Sequence, residues 1–172
     1  ARTVIALLEE LQPNEDVHEW HMETIFKRKG ITSREEAKTI FFAWLYNPGA
    51  SNIDGAPYDR DALLDKFYTD GKIQTPFGRR IEVGEFKALN YLIQSTTADL
   101  VNERAVALDK FLDNKKSFVS HIVHDEVVLD LHDDERYLLP EIKEIFSQNK
   151  LDSFRVNLSA GKDYYNLEKL SL

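Results

Sequence analysis

Residues 118–131, FVSHIVHDEVVLDL, form an apolar stretch that carries two histidines, an aspartate and a glutamate in its middle. The apolar runs on either side of His124-Asp125 predict two short strands. Burying Asp125 within one long strand would cost on the order of several kcal/mol unless the carboxylate were paired or bound to a metal. A hairpin hinged at His124-Asp125 leaves that carboxylate exposed on a rigid support, which suits metal binding or catalysis. The alternative is an ordinary hairpin with a polar turn.

A second group of residues recurs every four positions along a predicted helix at 33–46. These residues are Arg34, Lys38, Phe42 and Tyr46. Steps of four keep side chains close to one face of a helix, while Phe41, Trp44 and Leu45 offer another apolar face for the core. Two cations followed by two rings suit a nucleotide, because cations bind phosphate oxygens and a ring stacks on the base. The alternative buries both rings in the core and leaves the cations at its rim.

The elements around these residues are typical of the α+β class, with a mainly helical lobe and a small sheet. Helices are predicted at about 16–29, 33–46, 59–70, 85–113 and 133–149, hairpins at about 71–83 and 117–131, and a last strand at about 153–158. A capping box, Thr32 with Glu35 or Ser33 with Glu36, is predicted at the start of the second helix. Asn47-Pro48 is predicted to end that helix.

The composition limits the class of protein. The chain has 172 residues, which is enough for one domain or two small lobes, and a net charge of −8. That charge argues against wrapping nucleic acid over the whole surface. The lack of cysteine excludes a disulfide framework and a thiolate zinc site. No apolar run approaches the roughly 20 residues that cross a bilayer.

The segment REEAKTIFFAWLY at 34–46 resembles the fingers-helix motif of family A DNA polymerases, in which Arg, Lys, an aromatic residue and Tyr recur at this spacing. Four further segments resemble motifs of the same family in the same order. They are DVHEWHMETIF, TPFGRRI, NYLIQSTTADL and HIVHDEVVLDL. Together these matches cover most of residues 16–131, so the chain resembles the C-terminal fingers and palm portion of a bacterial or phage polymerase.

The resemblance implies template-directed transfer of a nucleotide from a dNTP to a primer 3′-OH. The residues that would bind the dNTP are His18, Arg34, Lys38, Phe42 and Tyr46. The three cationic side chains would neutralise the phosphates, and Lys38 would donate a proton to the leaving pyrophosphate. Phe42 would pack against the sugar and base, and Tyr46 would stack at the template position.

The resemblance also implies two Mg²⁺ ions and a duplex of primer and template DNA. Asp125 would bind Mg²⁺, while His124 and Glu126 would position the primer terminus. The residues that would contact the minor-groove edge or backbone of the duplex are Arg79, Asn90 and Gln94. A cytoplasmic location, in a bacterium or a phage-infected host, and no membrane partner are expected.

In domain terms, the resemblance implies a fingers-like lobe at 14–84 and a palm-like portion made of 1–13 and 85–172. The family's first catalytic Asp lies just before a pair that resembles Ala1-Arg2. Two-metal phosphoryl transfer needs more carboxylates than Asp125 supplies. The chain is therefore expected to need an upstream polymerase segment or a second polypeptide carrying the other catalytic Asp, and not to extend a primer alone.

The chain departs from the family pattern at several positions. Ala43 and Asn47 replace glycines, although Asn47 can still take a left-handed turn. Phe86 stands in place of an Arg, and whether the neighbouring Lys87 substitutes for it stays open. Tyr164 stands where a Trp is common.

Two alternatives to an active polymerase remain. One is an inactive polymerase-like subunit with a binding or accessory role. The other is a metal hydrolase, because His18 and His21 could chelate a metal from one helix face. His121 and His124 would not converge in the same way, since residues three apart on a strand point to opposite faces.

Overall fold

The computed structural model describes residues 19–20, 22–23, 30–47, 60–151 and 153–171 and has an α+β fold, as predicted. Its helices are α1 (Arg34–Tyr46), α2 (Arg60–Phe67), α3 (Glu85–Phe111) and α4 (Leu139–Ser147), with a 3₁₀ helix, η1, at Asp133–Leu138. Its strands are β1 (Tyr68–Thr69), β2 (Lys72–Gln74), β3 (Arg80–Glu82), β4 (Phe118–Val123), β5 (Glu126–Asp130), β6 (Leu158–Ala160) and β7 (Glu168–Leu170). They form three antiparallel sheets, β1-β2-β3, β4-β5 and β6-β7.

The chain divides after Thr96 into two compact units. In the first unit, the buried face of α1 packs against α2 and α3 through a core cluster. Its buried members are Ala37, Phe41, Trp44, Leu45, Leu63 and Leu89. A neighbouring cluster joins Ile73 of β2 to Ala88 and Leu92 of α3. The predicted division into a lobe at 14–84 and a portion at 1–13 and 85–172 stays a prediction.

The helix α1 begins and ends where the sequence predicts, but not through the predicted contacts. Ser33 is its N-cap residue, yet no side chain caps the helix there, so the predicted capping box is wrong. Asn47 has φ −105° and ψ 103°, which is extended rather than left-handed. The reason is Arg60, whose Nη1 donates hydrogen bonds to the carbonyl oxygens of Trp44 (2.7 Å) and Asn47 (2.9 Å). These bonds satisfy the helix C-terminus without a left-handed residue.

The second unit has its own core beneath the β4–β5 hairpin. Buried Leu108 and Leu112 of α3 pack with Leu138 of η1 and Ile142 of α4. Half-buried apolar residues of the hairpin cover this cluster, namely Val119, Val127, Leu129 and Leu131. The predicted 133–149 helix is thus a 3₁₀ helix followed by α4, and it ends at Ser147.

The predicted strand at 153–158, placed beside the β4–β5 hairpin, is wrong in both bounds and partner. Residues 154–157 are not strand, although Phe154 and Val156 are half-buried while Arg155 and Asn157 are exposed. Their exposure alternates as it does in a strand, but they form no hydrogen-bonded ladder. Just before them, Ser153 makes an isolated bridge to Gln148. The strand β6 begins at Leu158 and pairs with β7.

The predicted helix at about 16–29 falls mostly outside the described residues. Residues 19–20 and 22–23 are helical, and Gly30 has φ +76°, a value that fits its predicted role as a C-cap. Among the helices that the structure describes, none combines the length and apolar character needed to span a membrane.

Candidate active site

The α1 face, defined as Arg34, Lys38, Phe42 and Tyr46, lies along one helix, and all four side chains are half-buried. The rings of Phe42 and Tyr46 stack with their centroids 5.8 Å apart and their planes 10° apart. The buried residues of α1 are Ala37, Phe41, Trp44 and Leu45, none of which belongs to this set. The prediction of a single helix with an accessible stripe of two cations and two rings is therefore confirmed, while the roles of these residues stay predictions.

The two rings of the α1 face also contribute to the core. Phe42 and Tyr46 both pack against the buried cluster of α1, α2 and α3, and Phe42 meets Phe41 edge-on at 5.7 Å. Partial burial raises the pKa of the Tyr46 hydroxyl, because a buried phenolate loses hydration. The rings are thus anchored on one side and accessible on the other, which is how a rigid stacking platform is built.

The cations of the α1 face differ in their surroundings. The half-buried Arg34 side chain, 38% exposed, pairs at 2.8 Å with Glu35, whose side chain is 73% exposed. Within the part of the chain that the structure describes, Lys38 forms no ion pair. An exposed ion pair contributes only about 0–1 kcal/mol, so a phosphate group could displace Glu35 from Arg34 at little cost. The face can thus present two cations to one anionic ligand.

The hairpin tip, defined as His124, Asp125 and Glu126, is built as the sequence predicts. The strands β4 and β5 pair up to Val123 and Glu126, which leaves His124 and Asp125 as a two-residue turn. His124 adopts φ +53°, a conformation that non-glycine residues seldom take outside tight turns. All three tip side chains are exposed. A carboxylate in this position is open to a metal ion or a polar ligand.

The hairpin tip is braced by a tyrosine from the β6–β7 connection. The hydroxyl of Tyr164 donates a 2.8 Å hydrogen bond to Oε2 of Glu126. The Tyr164 ring also lies against His121 of β4, with ring centroids 6.2 Å apart. The hydrogen bond to Glu126 raises the pKa of Tyr164, because it stabilises the protonated hydroxyl.

The hairpin base, defined as Ser117, His132 and Glu135, is held by a buried carboxylate that sequence reasoning missed. Glu135 is 9% exposed. It accepts hydrogen bonds from the N–H groups of Lys116 (3.0 Å) and Ser117 (2.8 Å) and from the Ser117 hydroxyl (2.6 Å). That hydroxyl in turn accepts from the N–H of His132 at 2.9 Å. The carboxylate therefore joins the residue before β4 to a residue just after β5.

These donors lower the pKa of Glu135 to about 2, the N–H of Lys116 and the Ser117 hydroxyl contributing most. One signal in the sequence could have found this residue. His132 is the N-cap of η1, and Glu135 follows it at the third helical position, which is the spacing of a capping box. The sequence does not indicate, however, that Glu135 turns toward Ser117 rather than toward its own helix.

The predicted DNA-contacting residues lie in the first unit. Arg79 is exposed in the turn between β2 and β3. Its carbonyl oxygen accepts a 2.8 Å hydrogen bond from the Thr75 N–H, and its own N–H donates to Oγ1 of Thr75 at 3.2 Å. Asn90 and Gln94 lie one turn apart on α3, half-buried and exposed respectively. The Asn90 Oδ1 is buried and has no hydrogen-bond partner among the described residues. Lys87 is exposed in the first turn of α3.

The predicted phosphate-binding and metal-binding histidines near the start of the chain are not tested by the structure. His18 and His21 lie outside the described residues, so both the phosphate contact of His18 and the metal-hydrolase alternative stay predictions. Across residues 30–47, 60–151 and 153–171, no three His, Asp or Glu side chains are grouped so as to hold a metal ion. The Asp125 carboxylate offers the hard oxygen ligand that Mg²⁺ prefers.

No family model and no curated protein matches this chain. The functional interpretation consequently depends on the chain's own residues, above all on the α1 face and the hairpin tip.

Proposed function

We propose that this chain is the C-terminal fingers and palm segment of a DNA polymerase that transfers nucleotides from dNTPs to a primer 3′-OH. The observation that carries the proposal is the α1 face. Its two cations precede two stacked rings along one half-exposed stripe. A dNTP has the matching order, with negatively charged phosphates at one end and a flat base at the other. The resemblance of the five ordered motifs to family A polymerases supports the same function.

The phosphate chemistry falls to the cations. In the proposed reaction Arg34 exchanges Glu35 for phosphate oxygens, which it can bind through two parallel N–H groups. Lys38 neutralises the charge that grows on the leaving pyrophosphate and donates its proton there. His18 adds a further phosphate contact. Phe42 packs against the sugar and base, and Tyr46 stacks at the template position, both from rings that are already anchored in the core.

The metal chemistry begins at the hairpin tip. In this proposal Asp125 would hold Mg²⁺, while His124 and Glu126 position the primer terminus. Bound there, Mg²⁺ would supply positive charge for the attacking and leaving oxygens. Two dications held close together would repel strongly unless several anionic ligands offset their charge. We therefore infer that an upstream polymerase segment or a second polypeptide supplies the other catalytic Asp.

The duplex partner is primer–template DNA. Gln94 and Asn90 lie on successive turns of α3, and each side-chain amide carries an NH₂ group that can donate to an acceptor. Both side chains, with Arg79, are proposed to contact the minor-groove edge or the backbone, where correct base pairs share acceptors. The substrates, dNTPs and DNA, are those of the cytoplasm of a bacterium or a phage-infected host.

The test is primer extension with Mg²⁺ by the chain combined with a complementing polypeptide, defined as one that ends with an Asp-containing palm strand. Asp125→Asn is expected to lower the extension rate about 100-fold or more, the scale of losing a group that stabilises transition-state charge. Asp130→Asn is the matched control, because Asp130 is an exposed carboxylate at the opposite end of the same hairpin. It is expected to leave the rate within about twofold, as surface substitutions usually do.

Each outcome decides between the functions. Extension that Asp125→Asn abolishes and Asp130→Asn preserves supports the polymerase. Equal rates for the two variants would refute the role of Asp125. A combined wild-type preparation that binds primer–template DNA without extending it would refute the enzyme and favour the inactive accessory subunit.

A further inference from the structure

Tyr164 contacts the hairpin tip from a separate hairpin. Its hydroxyl donates to Glu126 Oε2 at 2.8 Å, and its ring lies 6.2 Å from that of His121, with the planes inclined at 47°. Glu126 is adjacent to Asp125 in the chain, and His121 lies on the strand that leads into the turn. A single side chain thus touches the strand before the tip and the carboxylate after it.

The segment that carries Tyr164 is itself fixed. Gly161 lies so close to the carbonyl oxygen of Asn166 that a Cβ at this position would clash with backbone. The Asp163 carboxylate accepts hydrogen bonds from the N–H groups of Tyr165 (3.0 Å) and Asn166 (2.9 Å) and from the Asn166 side chain. These bonds, those from Asn166 most of all, lower the pKa of Asp163. Tyr164 therefore projects from a defined turn.

We propose that Tyr164 is a positioning residue for the hairpin tip: by holding Glu126 and packing against His121, it fixes the direction of the carboxylates that face the primer terminus. This inference rests on the proposed polymerase function. An exposed Glu side chain otherwise samples many rotamers, and ordering it in advance removes an entropic barrier from the reaction. A carboxylate accepts several hydrogen bonds, so Glu126 can keep its bond to Tyr164 while it contacts a ligand.

The first experiment measures the contact without any polymerase activity. The pKa of Tyr164 is raised chiefly by the hydrogen bond to Glu126, and removing that acceptor is expected to bring the pKa down toward its ordinary value. NMR titration of the ring signals in the 172-residue chain, with Tyr164→Phe to assign the resonance, compares wild type with Glu126→Ala. Tyr165, which is 95% exposed, serves as the internal reference whose titration is expected to stay unchanged.

The second experiment measures chemistry in the chain combined with the complementing polypeptide. Tyr164→Phe keeps the ring and removes the hydroxyl, and it is expected to lower kcat about tenfold, the scale of one hydrogen bond to a charged group. KM for the dNTP is expected to stay within about twofold, because the dNTP is assigned to the α1 face rather than to Tyr164. Tyr165→Phe is the matched control, an adjacent and almost fully exposed tyrosine, and is expected to act like wild type.

The outcomes separate this inference from the polymerase proposal. A fall in kcat for Tyr164→Phe alone, with a Tyr164 pKa that depends on Glu126, supports the positioning role. An enzyme that extends primers equally well with Tyr164→Phe and Tyr165→Phe would overturn it and leave the polymerase intact. An unchanged Tyr164 titration in Glu126→Ala would also overturn it. A wild-type chain that extends no primer even when combined with the complementing polypeptide refutes the polymerase, and the positioning role with it.

Discussion

Arg60 is expected to stabilise the end of α1 that carries Tyr46. It lies 16 residues beyond Trp44 in the chain and donates to two carbonyl groups at the helix end, those of Trp44 and Asn47. Its guanidinium also lies over the Trp44 ring, 4.7 Å from the centroid. The substitution Arg60→Ala removes the donors, the charge near the negative end of the helix dipole and the stacking on Trp44.

The free energy that Arg60→Ala would cost the end of α1 follows from these contacts. A hydrogen bond from a charged donor contributes about 1.5–3 kcal/mol, a cation–π contact about 0.5–1 kcal/mol at an exposed site, and the dipole about 0.3–1 kcal/mol. The contributions overlap and solvent can replace part of the bonding at Asn47, which is exposed. We therefore expect Arg60→Ala to destabilise the C-terminal turn of α1 by about 2–3 kcal/mol, toward the lower end of the sum.

Amide hydrogen exchange measures this local free energy directly. The amides of the last turn of α1 are expected to exchange about 30–150-fold faster in Arg60→Ala, since each 1.4 kcal/mol corresponds to a factor of ten. Arg60→Lys keeps the charge but loses the planar guanidinium with its paired donors. Its exchange rates are expected to lie between those of wild type and Arg60→Ala. Arg80→Ala, which removes an exposed arginine from β3, is the control. Equal protection of α1 in Arg60→Ala and Arg80→Ala would refute the capping role.

Three further predictions concern the pH dependence, the chemistry and the core. Glu135 has a pKa of about 2 in the fold against 4.5 ordinarily, so its contribution to stability is complete above about pH 4.5 and is lost as the pH falls toward 2. Glu135→Gln is expected to flatten the fall of the urea midpoint between pH 6 and pH 3, and an unchanged pH slope would contradict the hairpin-base network. Lys38→Ala is expected to slow single-turnover incorporation about 100-fold, the scale of a lost proton donor, with little loss of DNA binding; an equal loss in both assays would mean that Lys38 is only an anchor. Leu108→Ala, at a residue that is 1% exposed, is expected to destabilise the second unit by about 2–5 kcal/mol in a urea titration. Val106→Ala, on the exposed side of α3, is the control and should change the free energy of unfolding by less than about 0.5 kcal/mol.

The sequence predicts local features of the fold better than distant contacts. The turn at His124-Asp125 is predictable because two β-rich runs flank charged residues that strands exclude. The bounds of α1 are predictable for a similar reason, since periodicity and Pro48 are local signals. The strand at 153–158 is not, because alternation marks which side chains face the core but does not specify a hydrogen-bonding partner.

The same limit applies to the candidate site. The spacing of the α1 face and the carboxylate of the hairpin tip can be read directly from residue types. The contacts of Arg60 and Glu135 cannot, since each joins residues more than ten positions apart. Asn47 illustrates the consequence: its own propensity favours a left-handed turn, but Arg60 satisfies the helix end and leaves Asn47 extended.

The rigidity of the hairpin tip has to come from outside the hairpin itself. A lone two-stranded hairpin is at best marginally stable in water, and the exposed residues of this tip bury no apolar surface of their own. Three sets of contacts from elsewhere in the second unit compensate. The cluster around Leu108 packs beneath the strands, Glu135 joins their outer ends, and Tyr164 holds Glu126. A charged turn alone is therefore a weak signal of chemistry, because a solvated loop has the same composition. A charged turn that is held at its base, beneath its strands and at its tip is a much stronger one, because that support orders exposed carboxylates before a ligand arrives.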